Sequence, residues 1–476
     1  MWRWLREGRR LLPLLPASFA IVLVLAAYGF YASRGTFSFP RLMRWQVWEE
    51  SNYATLAEGF RNGHLSLERG VDPKLRALPF PWDPAAREGI FYPWDTSYYN
   101  GRFYLYFTAV PVVSFYLPFR WMAGGYPPDA LAAAVFAAWG FLAAVAFTRR
   151  ALTHLGRPPL LPFPLWVLFI GAGNAIPFVL TQSRTYEVAI ITGMAMSATW
   201  ALAMLRFLEQ PTGRRAAWCS LWLALAIASR PNLGVLLLTA LVVLFVELRR
   251  RPDRLRVATA FAAPLAVVAV VLAAYNVARF GSPFELGVRY QLTTVSMADQ
   301  RVCSLCTLPE VGRIINHSLQ YVFVPPAVTS EFPFVGTVLA KLDPAVSWPT
   351  PNHGTEDIVG IGALVPLTLV GTFAAVLLAL MRGRSRSAGA RAALYVIGSG
   401  WLVLFSLSSC WWIVTRYSLD FLLLIVIGSV VCVEAAAVHL EAAGVRIVPL
   451  RLIAGALVCY SVAGGVLLGF VRLAEG

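Results

Sequence analysis

Long apolar stretches, separated by short arginine-rich connections, constrain this chain more than any other feature of its sequence. Of its 476 residues, 58% are hydrophobic and 14% are charged, against about 25% charged residues in ordinary soluble domains. This composition excludes a water-soluble globular protein, a disordered chain and a coiled coil. Because about 20 apolar residues span a bilayer as a helix, we predict an all-α polytopic membrane protein.

The apolar stretches predict about eleven transmembrane helices. The first runs from about Leu11 to Ser33, and the basic residues before it keep the N-terminus in the cytoplasm. A cleaved signal peptide is the alternative, but Tyr31-Ala32-Ser33 is a poor cleavage site. The other predicted spans cover residues 128–148, 160–180, 188–208, 216–230, 232–248, 257–276, 358–381, 392–411, 418–437 and 450–470.

The apolar segment between Arg102 and Arg120 is predicted not to cross. As a helix its roughly 17 residues would reach about 25 Å, which is less than the roughly 30 Å of hydrocarbon in a bilayer. Pro111 and Pro118 also interrupt it. If it crossed, the arginine-rich connections from 149 to 391 would face outward, against the positive-inside rule. We expect it to lie at the outer interface or to dip in and return.

This topology divides the chain into three parts. Residues 1–276 form a transmembrane module that includes a first outer loop, 34–127. Residues 277–357 form a second outer loop, and residues 358–476 form the C-terminal helices. The two loops are expected to form one cleft over the membrane, because long ordered loops on a rigid scaffold usually carry function.

The net charge of +15 would suggest nucleic acid as a partner if the protein were soluble. Here about half of the 40 basic residues fall in the short inner connections, so membrane sidedness accounts for the charge and no nucleic acid is predicted. The chain has no P-loop, no GxGxxG that opens a helix and no HExxH motif. ATP-driven transport and zinc proteolysis therefore lack their usual motifs.

Two adjacent carboxylates are the first candidates for chemistry. After RWQVWEE, apolar residues at helical spacing predict a short amphipathic helix over 51–62, with Ser51 as its N-cap. Glu49 and Glu50 precede this helix, and the positive end of its dipole would keep them ionised. An ionised carboxylate at the membrane surface is what a general base needs. The alternative is a solvated pair that only complements the helix dipole.

Glu-Glu-x-x-Tyr-Ala-x-Leu-Ala after a first span resembles the Asp-Glu-x-x-Tyr-Ala-x-Ile motif of GT-C membrane glycosyltransferases. Protein O-mannosyltransferases and lipid A aminoarabinose transferases belong to this class. The resemblance implies a GT-C-like fold and transfer of a sugar from a polyprenyl-phosphate donor to a lipid or glycan acceptor. It assigns the catalytic base to Glu49. Because this chain has Glu where the family has Asp, Glu50 stays as the alternative.

The segment YPWDTSYYNGRFYLYF resembles the family's Gly-x-x-Tyr segment, which carries a basic residue and prolines. The stretch from Asp95 to Arg120 is also similar to uncharacterised bacterial membrane proteins. The family resemblance implies that Arg102 contacts the lipid phosphate, and an interfacial anchor is the alternative. Asp95 would orient the acceptor or a divalent metal, or serve only as a turn residue. A divalent metal is the one cofactor that this interpretation leaves open.

Further charged residues flank the predicted spans. Arg184 and Glu187 lie at the head of a helix, and in GT-C enzymes an acidic residue follows a similar Ser-Arg pair. Glu187 would position the substrate or only pair with Arg184. Arg230 interrupts an apolar region, where charges usually line a cavity or pair, and is predicted to be the second phosphate contact. Arg416 and Asp420, four residues apart, form an ion pair or contact sugar or pyrophosphate.

Cys303 and Cys306 form an isolated CxxC in the second outer loop. A zinc site would need two more ligands, and His317 and His353 are the nearby candidates. A disulfide in an oxidising compartment is the favoured interpretation, with two free thiols as the third option.

These patterns together predict a glycosyltransferase of the cell envelope in a bacterial inner membrane, with its active site on the periplasmic face. A transporter or flippase of a lipid-linked sugar is the first alternative, and it requires charges arranged as a pathway to the inside. A non-catalytic membrane scaffold is the second, and it predicts that carboxylate substitutions leave the cellular glycans unchanged.

Overall fold

The computed structural model describes residues 15–37, 50–293, 296–297, 308–339, 357–381, 387–410 and 413–474. Glu49, Cys303, Cys306 and His353 lie outside the described residues, so the predictions made for them are not addressed by the structure.

Helices make up most of the described chain, as the apolar stretches predict. They are α1 Leu15–Ala32, α2 Asn52–Arg61, α3 Pro73–Ala77, α4 Leu117–Ala123, α5 Asp129–Thr153, α6 Phe163–Ala172, α7 Ile176–Leu180, α8 Thr185–Glu209, α9 Gly213–Ser229, α10 Leu236–Leu248, α11 Arg254–Phe280, α12 Leu308–Phe323, α13 Ile361–Leu364, α14 Leu367–Leu380, α15 Ala388–Ser408, α16 Leu419–Ala442 and α17 Val448–Ala474. Short 3-10 turns cover Ala85–Arg87, Pro231–Val235, Val288–Tyr290 and Thr415–Ser418.

The strands in the described ranges form three antiparallel two-stranded sheets. They pair β1 Ser97–Tyr99 with β2 Arg102–Tyr104, β3 Ala327–Val328 with β4 Val335–Gly336, and β5 Val338–Leu339 with β6 Asp357–Ile358.

Eight helical segments of the described chain are long and apolar enough to cross a membrane. They are Leu15–Ala32, Asp129–Thr153, Thr185–Glu209, Pro231–Leu248, Arg254–Phe280, Ala388–Ser408, Thr415–Ala442 and Val448–Leu473. The prediction of an all-α membrane protein is confirmed at this level. Shorter helices, α6, α9 and α14, lie at the remaining predicted spans, and the total of eleven crossings stays a prediction.

The segment that was predicted not to cross contains no long helix. β2 ends at Tyr104, a π-helical turn covers Val112–Tyr116, and α4 ends at Gly124 in the left-handed conformation with φ of 76°. Pro118 lies directly after this π-helical turn, at the start of α4. None of these pieces is among the eight candidate spans.

α8 and α16 form the centre of the bundle, and α11 lies at its edge. The most apolar window of Thr185–Glu209 and that of Thr415–Ala442 are both 89% buried, whereas that of Arg254–Phe280 is 11% buried. Small residues allow the close packing of α16 that membrane interiors favour. A Cβ built on Gly400 of α15 would lie 2.5 Å from Ile425, and one on Gly428 would lie 2.7 Å from Ile397.

Hydrogen bonds join the start of the second loop to the first loop. The Asp95 backbone N–H donates to the Leu292 carbonyl at 3.1 Å, and the Leu292 N–H donates to Thr96 at 2.9 Å. At the end of α11, the buried Arg279 guanidinium donates to the Leu105 carbonyl at 2.8 Å. The two loops therefore meet beside β1 and β2, where the candidate site lies.

Cysteine labelling tests the predicted sidedness. In a variant without the six native cysteines, a membrane-impermeant maleimide should label Lys74→Cys and Met122→Cys in intact cells. It should label Arg214→Cys only after permeabilisation. All three side chains are exposed, and that of Met122 is 81% exposed, so accessibility to the reagent depends on sidedness alone. Labelling of Arg214→Cys in intact cells, with Met122→Cys labelled only after permeabilisation, would contradict the non-crossing topology.

Candidate functional site

A cleft of about 270 Å³ lies where α2, α5 and α8 begin, next to the turn that precedes β1. We call the membrane face on which it lies the cleft face. The residues that line it are Glu50, Asn52, Trp94, Asp95, Phe107, Asp129, Ser183, Arg184, Thr185 and Tyr186.

Three carboxylates reach this cleft from separate parts of the chain. Glu50 directly precedes the N-cap of α2, Asp95 follows Trp94 in the turn before β1, and Asp129 is the first residue of α5. The predicted helix after Glu50 is confirmed, because α2 begins at Asn52 and the Ser51 hydroxyl accepts the Ala54 N–H at 3.1 Å. The N-cap fixes the direction in which the chain enters α2.

Asp129 is held by two hydroxyl donors and is almost completely buried. Its Oδ1 accepts from Ser51 at 2.6 Å and from the Tyr116 phenol at 2.5 Å. Its side chain lies at the N-terminus of α5, where the helix dipole favours a negative charge. The same serine therefore caps α2 through its oxygen and binds Asp129 through its hydroxyl hydrogen, which couples the two helix starts.

Tyr53, from the motif that follows Glu50, lies behind this cluster. Its ring packs 5.5 Å from that of Tyr116, and it is fully buried. Within the described residues its hydroxyl has no hydrogen-bond partner. Burial, followed by the charge of Asp129, raises the pKa of the Tyr53 phenol well above its ordinary value. The phenol is therefore a neutral donor beside the cleft.

Asp95 adopts a left-handed backbone conformation with φ of 55°. Asp tolerates this conformation better than most residues, so the turn alone accounts for its presence there. Its carboxylate also lines the cleft and accepts from the Gln291 amide at 2.8 Å. Asp95 is thus both a turn residue and a cleft residue. A role in the turn is therefore compatible with a role in orienting a substrate.

A buried ion pair lies on the same side of the bundle, and it was not predicted. Arg230 donates from Nη2 to Asp420 Oδ2 at 2.7 Å and from Nε to both carboxylate oxygens at 3.2 and 3.3 Å. The Asn232 amide donates to the same Asp420 oxygen at 3.0 Å. The Arg230 side chain is 12% exposed and that of Asp420 is fully buried. Of the two alternatives for Arg416 and Asp420, the ion pair between them is therefore wrong, because Asp420 pairs with Arg230.

Gly193 of α8 makes room for Arg230. A Cβ built on Gly193 would lie 2.6 Å from the Arg230 Cγ and 3.2 Å from a Leu233 methyl. Because Arg230 is held at its other end by Asp420, its stem cannot swing away. Glycine at this position therefore lets the aliphatic stem of Arg230 lie against α8.

Arg416 is surrounded by aromatic rings. Its guanidinium lies 5.2 Å from the Tyr186 ring and 5.6 Å from the Tyr417 ring, and Tyr417 in turn lies 5.2 Å from the Arg230 guanidinium. Its Nε is 4.0 Å from Glu187 Oε1. Tyr186 also lines the cleft, so a single ring separates Arg416 from it.

Glu187 acts as a capping residue of α8. Its Oε2 accepts the backbone N–H of Arg184 at 3.1 Å, and its Oε1 faces Arg416. The predicted pairing with Arg184 is thus made through the backbone. The Arg184 side chain instead lines the cleft.

The structure brings together Glu50, Asp95, Arg184, Glu187, Arg230 and Arg416 on the cleft face. Arg102 differs from this group, because it is exposed at the far end of the β1–β2 hairpin, opposite Tyr99. Its placement fits the interfacial-anchor alternative better than a phosphate contact inside the cleft. Arg230 also departs from the prediction, since a phosphate contact needs a free guanidinium and Asp420 already binds this one on two nitrogens.

Sequence reasoning missed Asp129, the most completely buried of the three cleft carboxylates. One signal was present: an acidic residue directly after Pro127-Pro128, at the start of a long apolar stretch. Such a residue is stabilised at a helix N-terminus. Its burial depends on Ser51 and Tyr116, which come from other parts of the chain, so the local sequence does not indicate it.

No group of three His, Cys, Asp or Glu side chains placed to hold a metal occurs within the ranges the structure describes. No protein-family model matches this chain, and no curated protein matches it. Interpretation of the site therefore rests on its own geometry.

Removing one member of the Arg230–Asp420 pair should destabilise the protein. Asp420→Ala leaves a buried guanidinium uncompensated, which typically costs about 3–5 kcal/mol. We expect a clear drop in the melting temperature of the purified protein in detergent. Arg230→Lys should lower it less, because it keeps the charge and loses only the bidentate geometry.

The exposed pair of Arg251 and Asp253 provides the matched control for this loss of charge. Arg251→Ala should leave the melting temperature unchanged, because solvent screens an exposed pair. Equal melting temperatures for Asp420→Ala and Arg251→Ala would contradict a structural role for the buried pair.

Gly193→Ala should disturb the same pair without removing a charge. Overpacking of this kind typically costs about 1–3 kcal/mol. We expect Gly193→Ala to lower the melting temperature. Adding Asp420→Ala to this variant should lower it further, but by less than Asp420→Ala lowers it in the unaltered protein. Gly398→Ala is the control, because no atom lies within 4 Å of the added methyl group.

Proposed function

We propose that this protein is a GT-C-like glycosyltransferase that moves a sugar from a polyprenyl-phosphate donor to a hydroxyl of a lipid or glycan acceptor. The observation that carries the proposal is the cleft itself. It gathers Glu50, Asp95 and Asp129 with Arg184 at one face of a membrane-type helical bundle. Carboxylates suit activation and orientation of hydroxyl groups, and an arginine suits a phosphate.

The proposed reaction is a direct displacement at the anomeric carbon. The acceptor oxygen forms the new bond to that carbon, and its proton passes to a carboxylate. The bond from the anomeric carbon to the phosphate oxygen breaks, and the polyprenyl phosphate leaves with the bonding electrons. Glu50 is the base in this scheme, because it is exposed at the cleft and therefore accessible to an incoming hydroxyl. Glu49 stays as the alternative base.

The other two carboxylates suit positioning. Asp129 already accepts two hydroxyl hydrogen bonds on Oδ1 and is buried, which disfavours it as a proton acceptor that must reach solvent. Asp95 lines the cleft, and its Oδ1 accepts from Gln291, which fixes the direction of the carboxylate toward a substrate hydroxyl. The rings of Trp94, Phe107 and Tyr186 give the cleft flat apolar walls, which suit the faces of a sugar.

The leaving phosphate needs a cation that is not already bound by a carboxylate at short range. Arg184 lines the cleft directly, and we assign the phosphate contact to it. Arg416 lies behind Tyr186, 4.0 Å from Glu187, and is assigned no contact with the phosphate. Arg230 is assigned to holding α16 in place through Asp420. Arg102 is left outside the cleft as an anchor of the hairpin.

The positions of buried charges favour an enzyme over a transporter. Within the described residues, Glu187, Arg230 and Asp420 lie near the cleft face. Glu434, by contrast, is near the other end of α16, where it binds the Leu160 N–H and the Trp166 indole. The buried polar side chains of α8 between these levels are hydroxyl groups, Thr192 and Ser197. A coupled transporter would need ionisable groups along that path.

Charge-only substitutions test the base. The purified protein is incubated with a panel of polyprenyl-phosphate sugars and membrane-derived acceptors, and release of polyprenyl phosphate is measured. Glu50→Gln should lower the turnover rate by about 10²–10⁴, with donor binding retained. Should Glu49→Gln show this loss instead, the base would be Glu49.

Glu88→Gln is the matched control, because Glu88 is an exposed carboxylate of the same loop. It should keep full activity. Full activity in both Glu49→Gln and Glu50→Gln, from protein with an unchanged melting temperature, would contradict the base assignment. If the turnover rate falls only a few-fold in both variants, the two carboxylates complement the α2 helix dipole and neither acts as the base.

A further inference from the structure

A second cavity, of about 660 Å³, lies at the other end of the bundle. It is formed by the last turns of α5 and α8 and the first turns of α9. We call it the basic cavity, and its lining residues are Arg150, Thr199, Leu202, Ala203, Arg206, Thr212, Arg214, Arg215, Trp218 and Trp222.

The basic cavity holds four guanidinium groups against one neighbouring carboxylate. Glu209 accepts both Arg150 donors, at 2.6 and 2.8 Å, and lies 3.6 Å from Arg215. Arg215 also donates to the Arg206 carbonyl at 2.6 Å. These contacts fix Arg150 and Arg215 in place. The cavity therefore carries an excess of three positive charges.

Arg206 and Arg214 are the two cations that the protein does not compensate. Their side chains are exposed, and within the described ranges neither forms an ion pair or hydrogen bond. Arg214 also lies in the first turn of α9, where the helix dipole disfavours a cation. Arg206 and Arg214 lie beside the fixed guanidinium groups of Arg150 and Arg215. These positive charges repel one another unless an anion lies between them.

The wall of the basic cavity that continues toward the bundle interior is apolar and aromatic. Trp218 and Trp222 stack with ring centres 6.4 Å apart, and Trp139 meets Trp222 edge-on at 5.6 Å. Trp218 is 49% exposed. Tryptophan collects at the level of lipid headgroups, where one part of the ring is apolar and another is wet. An occupant of this cavity therefore meets charge at one end and hydrocarbon at the other.

The basic cavity and the cleft lie about one bilayer apart. Tyr186 of the cleft and Arg206 of the basic cavity are on the same helix, α8. Twenty residues of α-helix span about 30 Å, which matches the hydrocarbon thickness of a membrane. The basic cavity is thus at headgroup level in the leaflet opposite the cleft.

We propose that the basic cavity binds one anionic phospholipid of that leaflet. Its phosphodiester would lie between Arg206 and Arg214, within reach of the fixed Arg150 and Arg215, and one acyl chain would follow Leu202, Ala203 and Trp222. Basic pockets between transmembrane helices bind anionic lipid headgroups in this way. The site is independent of the proposed transferase activity and involves none of the cleft residues.

The test is a titration of the full-length protein in detergent with phosphatidylglycerol that carries a fluorescent acyl chain. Arg206→Gln combined with Arg214→Gln should weaken binding about twenty-five-fold, because each surface cation contributes roughly a factor of five. The fold is expected to be unaffected, since neither side chain has a partner to lose, and melting curves check this. Phosphatidylcholine should bind weakly to both proteins.

Arg249→Gln combined with Arg250→Gln is the matched control, because these arginines are exposed on the connection between α10 and α11. Unchanged binding in this control supports a specific site, and an equal loss would overturn it in favour of general surface charge. Unchanged binding in the Arg206 and Arg214 variant would also overturn the proposal. Glycerol phosphate, the soluble headgroup, is titrated in parallel. Equal affinity for it would mean a small-anion site and would overturn the lipid assignment.

Discussion

The buried ion pair of Arg230 and Asp420 joins two parts of the chain that are 190 residues apart. Arg230 lies at the break between α9 and the 3-10 turn before α10, and Asp420 lies in the first turn of α16. A charge in such surroundings is tolerated only when a partner compensates it. The glycine at 193 shows that α8 is shaped around this pair. The end of α9 and the start of α16 are thereby held together beside Gly193 of α8.

The walls of the cleft are the starts of α2, α5 and α8, and a separate set of contacts joins these three helices. Ser51 links α2 to Asp129 of α5, and the Asn52 amide donates to Thr185 of α8 at 3.2 Å. Polar contacts at helix starts are strong where helix dipoles favour acceptors and carboxylates. A shared cap network of this kind positions Glu50 relative to Arg184 without a large soluble domain. The proposed chemistry accordingly needs only side chains at helix ends and in two short turns.

α8 gives the molecule two chemically different ends. Its first turn contributes Thr185 and Tyr186 to the cleft, where acidic residues predominate, and its last turns contribute Arg206 to the basic cavity. This division follows the distribution of charge along the sequence, since the short connections are rich in arginine and the cleft face carries the carboxylates. A sugar donor and an anionic structural lipid would therefore occupy opposite leaflets.

Hydropathy and charge spacing determined the helical membrane architecture, the short helix after Ser51 and the lack of a long apolar helix around Pro111, because these depend on local residue order. They also identified Glu50, Asp95, Arg184, Glu187 and Arg416 as charged residues that need an explanation. Only the tertiary structure decided which charges meet. The pairing of Arg230 with Asp420, the burial of Asp129 and the separation of Arg102 from the cleft depend on contacts between helices distant in sequence. A residue's neighbours at such distances are set by how the helices pack, and helical periodicity carries no information about that.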